Sequence, residues 1–273
     1  MKKEIKLIAI DLDGTLLGSD RKVVDENKKV IKALQDLGLR IVIATGRPFN
    51  GFWWIRQELG LEGFDDYCIC NTGSFVRRNA DGKKIVDNQL DGSDYEKISS
   101  YVSDEDLQIA LYSKDILYNN ADILNDGFKK DQDVMHMPRQ KFESFDDIKG
   151  DIGRVNFMGD EDTLDKFFED NKEKIEKDYM TMRNETYSLE ILKKTSGKAE
   201  SLQALCDYLE ISTKNVMYFG DGTNDKNAIS LAGIGVAMGN AEDQTKEAAD
   251  FVAKTNDEAG LAEFLKEYFE LEV

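Results

Sequence analysis

Leu7, Ile8, Ala9 and Ile10 form an apolar run with no polar alternation. Such a run predicts a strand buried on both faces, as in a parallel sheet covered by helices. Gly14 lets the backbone turn away sharply, which leaves Asp11 and Asp13 at the strand's carboxyl end. Val30, Ile31, Leu34 and Leu37 then mark one face of a helix over 25–37, stopped by Gly38. The β-branched run 39–44 predicts a second strand, which Thr45-Gly46-Arg47-Pro48 breaks before a helical stretch reaching Leu59. A third strand is expected at 67–70, followed by a hairpin over 74–86 that turns at 79–82.

Beyond residue 90 the pattern changes. Strands at 107–112 and 154–158 and a helix at 163–175 stand among polar loops. From residue 189 the alternation returns, with a helix at 199–209, a strand at 216–219 and a helix starting near Asn224. Strands at 234–238 and 251–253 and a closing helix at 257–269 follow. The expectation is an α/β fold, a Rossmann-like doubly wound parallel sheet core formed by 1–88 and 188–273, with an inserted α+β cap domain at 89–187.

The length of 273 residues fits two domains, and 41% apolar residues with two prolines indicate a globular chain. A formal charge of −18 repels nucleic acid and anionic lipid, so neither is expected as a partner. The same charge gathers cations such as Mg²⁺, and it obliges any phosphate site to carry local positive groups. The apolar runs fall short of the roughly 20 residues of a membrane span. Asp11 also interrupts the first run too early for an export signal, so the cytoplasm is the expected location. Cys68, Cys70 and Cys206 make no disulfide framework and read as buried small hydrophobes. The single histidine, His136, lies between Met135 and Met137 and is assigned no catalytic role.

Polar residues just past several buried strands can converge on one point. Four such places occur: Asp11 with Asp13, Thr45-Gly46-Arg47, Lys198 at the start of a helix, and 220–225 after the strand at 216–219. Each alone is ordinary, an acidic turn or a solvated lysine. Together, Asp11, Asp221 and Asp225 offer three carboxylates to a hard cation, and Mg²⁺ is the natural choice because the spacing of a calcium-binding EF-hand is missing. The Thr45 hydroxyl and the Gly46 N–H suit a phosphate oxygen at the amino end of the following helix, and Lys198 adds a point charge.

These segments, in this order, resemble the haloacid dehalogenase (HAD) superfamily of phosphohydrolases. The late Gly235-Val236-Ala237-Met238-Gly239-Asn240-Ala241 and the insertion before Lys198 resemble its Cof-type subfamily, whose cap is called C2B. The resemblance implies that Asp11 is the nucleophile that accepts the phosphoryl group and that Asp13 is the acid that protonates the leaving oxygen. It also implies Mg²⁺ held by the Asp11 carboxylate, the Asp13 backbone carbonyl and the Asp221 carboxylate, with Asp225 helping directly or through water. Leu12 N–H, Thr45, Gly46, Lys198 and Asn224 would surround the transferring oxygens. Aspartate at position 13, where P-type ATPases carry lysine, favours a phosphatase over a pump.

Ala199 after Lys198, Thr72-Gly73 and Lys226-Asn227-Ala228 depart from the family's usual residues without removing a charge-bearing catalytic group. The expected activity is Mg²⁺-dependent hydrolysis of small phosphorylated metabolites, such as sugar phosphates, by a protein whose cap closes over the substrate; the sequence assigns no oligomeric state, and a monomer fits. Two alternatives stand beside it: a sugar phosphomutase of the same superfamily, and a phosphoacceptor switch. In the cap, Arg154, His136, Tyr112 and Tyr118 read as packed or solvated residues.

Overall fold

The computed structural model describes residues 3–102 and 107–273. The chain forms two compact units. One runs to Gly46 and takes in Trp53–Val86 and Gly197–Val273; the other comprises Arg47–Phe52 and Asp87–Ser196.

The first unit is built on an eight-stranded sheet. Its spatial order is Phe251–Val252, Ile234–Ala237, Val216–Gly220, Leu7–Ile10, Arg40–Ala44, Tyr67–Cys70, Phe75–Arg78 and Lys84–Asp87. The first six are parallel, and Phe75–Arg78 runs antiparallel to its neighbour Tyr67–Cys70. Leu7–Ile10 lies at the centre with all four side chains fully buried. Each large aliphatic residue there stabilises the fold by about 1.5–3 kcal/mol. Successive strands build outward on one side of it, and after the insertion they build outward on the other. The sheet is therefore doubly wound, with its order reversing beside the first strand, where open α/β sheets form their ligand crevice.

The first helix is Asp25–Asp36, which buries Val30, Ile31 and Leu34. Leu37 does not continue the buried stripe. It caps the helix and is 62% exposed. Pro48 has a larger effect. No helix opens at Gly46; a 3₁₀ turn at Phe49–Phe52 comes first and the α-helix begins at Trp53. A proline disfavours helical geometry at the residue before it, so the break extends further than apolar periodicity alone suggests. Arg47 Nη1 donates to the Val134 carbonyl at 3.3 Å and Asn50 Nδ2 to Asp115 at 2.6 Å, which ties this short segment to the second unit.

The second unit carries a six-stranded sheet in the order Tyr179–Glu185, Ser188–Lys193, Arg154–Met158, Gln108–Tyr112, Leu117–Asn119 and Arg139–Lys141. Ser188–Lys193 corrects the expected boundary at 187/188. It pairs antiparallel with both Tyr179–Glu185 and Arg154–Met158, and the unit ends at Ser196. Its apolar residues predict a strand but not the sheet it joins. The period of two separates the faces. Ile109, Leu111, Val155, Phe157, Leu189 and Ile191 belong to a core that also holds Ile98 of helix Gly92–Ser99 and Leu164, Phe167 and Ile175 of helix Glu161–Asp178. Ala110, Tyr112 and Met158 pack instead with Phe128 and Met135 of helix Asp126–Met135.

Arg154 and Glu190 form a buried ion pair at 2.8 Å, and the Tyr112 and Tyr187 hydroxyls donate to Asp131 at 2.7 and 2.8 Å. Tyr118 is also fully buried. His136 is exposed and ends the helix in the left-handed conformation at φ 50°. The three cysteines are buried.

Candidate active site

The site grows out of strand register. Ile10 pairs with Phe219, and the Asp11 N–H continues the ladder by donating to the Phe219 carbonyl at 2.9 Å. Asp11 therefore leaves its strand level with Gly220, and Asp221 is the next residue of the neighbouring strand's exit. The chain after Asp11 coils into one wide turn over Leu12–Leu16, kinked at Asp13 and at Gly14, whose φ is 82°. A Cβ at position 14 would overlap the Asp221 carboxylate, so glycine is required both by conformation and by space. The turn leaves Leu12 buried and the Asp13 side chain exposed.

Asp11, Asp221 and Asp225 each place a carboxylate oxygen within 4.8 Å of the others. Lys198, at the start of helix Lys198–Tyr208, enters the same space. Its Nζ lies 2.5 Å from Asp11 Oδ1 and 2.7 Å from Asp225 Oδ1, and the side chain is 1% exposed. Asp225 has further donors: Tyr218 Oη at 2.6 Å on Oδ1, and the N–H groups of Asp221 and Gly222 at 3.3 and 3.1 Å on Oδ2. Its two oxygens thus accept from four donors, which suits it to orienting Lys198 and the loop more than to direct metal ligation. Asp221 Oδ1 accepts the Thr15 hydroxyl at 2.7 Å.

Three carboxylates against one ammonium leave the cluster electronegative. Burial pushes the Asp11 carboxyl well above the usual carboxylate range; Lys198 opposes this, while Asp225 and Asp221 reinforce it. Asp221 is raised from 3.8 to about 6, chiefly by burial and then by the charge of Asp225, against the Thr15 hydrogen bond. For Lys198, burial works to lower the value, but Asp11 and Asp225 outweigh it and hold the side chain charged. A hard divalent cation answers the excess negative charge with the oxygen donors it prefers, so this donor set fits Mg²⁺.

The other expected residues line the same edge. Thr45 is fully buried past the end of Arg40–Ala44; its N–H donates to Ile69 at 2.9 Å and its carbonyl accepts from Thr72 at 3.2 Å. Its backbone holds two loops together. Gly46 follows as a loop amide, since no helix opens there. Asn224 is half-buried in the turn Thr223–Asp225.

Sequence reasoning missed the residues that hold these groups in place. Thr15 and Tyr218 read as turn and strand residues, because their partners lie in other segments or across a turn. Asn240, Asn256 and Asn27 hold the turn that follows Asp11: Asn240 donates to the Gly14 carbonyl at 2.8 Å, Asn256 to Leu17 at 2.8 Å and Asn27 to Leu16 at 3.0 Å. The Asn256 N–H also donates to Asn240 at 3.0 Å. The glycine-rich run ending in Asn240 was the available signal for one of the three.

A parallel sheet that gathers three acids and a lysine at its switch point is suited to phosphoryl transfer. The chain belongs to the haloacid dehalogenase-like hydrolase family, whose model matches residues 8–265. It is similar to the phosphatase YwpJ of Bacillus subtilis, at 27% identity over 96% of this chain and 99% of that one. It is also similar to the 5-amino-6-(5-phospho-D-ribitylamino)uracil phosphatase YitU of the same organism, at 29% identity over 99% and 100%. Among solved structures, a haloacid dehalogenase-like hydrolase from Bacteroides thetaiotaomicron superposes with a TM-score of 0.89 at 28% identity, over 97% of this chain and 99% of that one. The protein is accordingly a HAD-type phosphatase. Among the described residues, no helix is long and apolar enough to cross a membrane.

Proposed function

We propose that the protein hydrolyses small phosphate monoesters, sugar or polyol phosphates foremost, through a phosphoaspartate on Asp11 with Mg²⁺ as cofactor. The carrying observation is the Asp11 carboxylate, oriented by Lys198 at 2.5 Å and set beside Asp221 and Asp225 at the sheet's switch point. The relative YitU, which by its name removes a phosphate from a ribityl chain, supports the substrate class.

In this reading Asp11 attacks phosphorus and the P–O bond to the leaving group breaks, while Asp13, exposed two residues further on, gives that oxygen its proton. Asp13 then takes a proton from water as it attacks the phosphoaspartate, which frees Asp11 and inorganic phosphate. Lys198, Thr45, Asn224 and the Leu12 and Gly46 amides bind and orient the phosphoryl oxygens. Asp11, Asp221 and the Asp13 carbonyl would hold Mg²⁺, steadied through Asp225, and the bound ion would supply charge neutralisation for the transfer. A panel of phosphate esters assayed for inorganic phosphate with and without Mg²⁺ tests this. Wild type is expected to turn over some esters and Asp11→Asn none. An Asp11→Asn protein as active as wild type overturns the nucleophile assignment, and isomerised sugar phosphate without free phosphate overturns the hydrolase reading in favour of a mutase.

A further inference from the structure

Tyr218 is the one polar side chain on the buried strand Val216–Gly220. Its neighbours Val216, Met217 and Phe219 are fully buried hydrophobes, and it belongs to the same buried core as Leu7, Ala9, Leu202 and Leu205. Phenylalanine would fill that space equally well, and a hydroxyl brought into hydrocarbon destabilises unless it finds a partner. This hydroxyl reaches past the packed region to Asp225 Oδ1 at 2.6 Å. The same oxygen accepts Lys198 Nζ at 2.7 Å, and Lys198 reaches Asp11 at 2.5 Å. A continuous line of short hydrogen bonds thus runs from the core of the sheet to the proposed nucleophile.

We propose that Tyr218 is a positioning residue for phosphoryl transfer, sharing Asp225 with Lys198 so that the ammonium stays balanced between Asp225 and the Asp11 side where phosphate binds. This rests on the assignment of Asp11 and Lys198 made above. Asp225 Oδ1 divides its charge between two donors. Without the phenol, the whole of that oxygen's attraction falls on Lys198 and draws it toward Asp225. The ammonium then withdraws from Asp11 and from an incoming phosphate. The hydroxyl takes up no proton in this role; it sets how strongly one carboxylate competes for one cation.

Tyr218→Phe removes a single oxygen and keeps the ring. Two measurements test the inference: kcat and KM with p-nitrophenyl phosphate, and calorimetric binding of inorganic phosphate to the Mg²⁺-supplied protein. Phosphate affinity and kcat/KM are each expected to fall by about tenfold, the size of one lost hydrogen bond to a charged group, and the same lost bond is expected to lower the melting temperature by a few degrees. In an Asp225→Asn background the same substitution is expected to change phosphate binding by less than about twofold, because the group Tyr218 acts through is altered. Wild-type affinity and kinetics in Tyr218→Phe overturn the proposal, as does a tenfold loss that recurs undiminished in the Asp225→Asn background. If Asp225→Asn does not fold, the single variant decides: a fall in kcat/KM with phosphate affinity unchanged overturns the positioning role. Phosphate binding needs no turnover, so an active Asp11→Asn protein would remove the nucleophile assignment while leaving the Tyr218–Asp225 coupling measurable.

Discussion

Removing the Lys198 ammonium should cost stability as well as catalysis. Lys198 and Asp225 are each 1% exposed and Asp11 is 6% exposed, so the pairing takes place almost entirely out of water. Lys198→Met keeps an aliphatic side chain of similar length but leaves Asp11 and Asp225 without their common cation. Breaking a buried ion pair from one side costs about 3–5 kcal/mol, which for a chain of this size corresponds to a melting temperature lower by roughly 10 °C.

The sign of the pH dependence separates this cause from lost packing. The Asp221 carboxyl sits at about 6 in the fold against an ordinary 3.8, so between those values the folded chain binds more protons than the unfolded one. Stability therefore falls as pH rises from about 4 to about 6, the reverse of an ordinary salt-bridged aspartate. Taking away Lys198, the strongest influence holding Asp11 down, enlarges this effect. The deficit of Lys198→Met should be largest above pH 6 in the presence of a chelator, should shrink toward pH 4, and should be partly recovered by Mg²⁺. Thermal melts across that range measure it. A metal-free variant as stable as wild type at pH 7, or a deficit that does not change with pH, would refute the electrostatic reasoning.

Other substitutions probe separate links. Gly73 has a φ of 83°, and a Cβ there would overlap the Gly197 carbonyl immediately before Lys198. Gly73→Ala should therefore lose about 2–4 kcal/mol in denaturant titrations and lower kcat/KM as well; an unchanged kcat/KM would show that the backbone carrying Lys198 had not moved. Mg²⁺ should raise the melting temperature, and its affinity should increase as pH rises through about 6 as Asp221 ionises, which calorimetry at several pH values can follow. In the second unit, Glu190→Gln removes the negative partner of the buried Arg154–Glu190 ion pair and should destabilise that unit by about 3 kcal/mol, read as faster amide exchange across Arg154–Met158; unchanged exchange there would mean that the pair contributes little.

The core strands were legible as unbroken apolar runs, and Asp11, Asp13 and Asp221 stand just past such runs, which a parallel sheet sends to a common edge; Lys198 was read from its place at the start of a helix. The second unit was less legible. Arg139–Lys141 carries no apolar residue at all and is a strand only because Leu117–Asn119 pairs with it. Ser188–Lys193 has the pattern of a strand from either sheet, and pairing alone decides between them. In the site, Asp11 and Lys198 could be read from charge and position. Tyr218 and Thr15 could not, because their meaning arises only when Asp225 and Asp221 come to meet them.

The asparagine clamps tie catalytic competence to the order of synthesis. The loop following Asp11 emerges early from the ribosome, yet two of its fastenings, Asn240 and Asn256, are translated more than two hundred residues later. Until those arrive, the loop after Asp11 has only Asn27 of its three asparagine fastenings. A nascent or prematurely terminated chain that stops short of Asn240 would carry Asp11 without two of the ties that hold its loop.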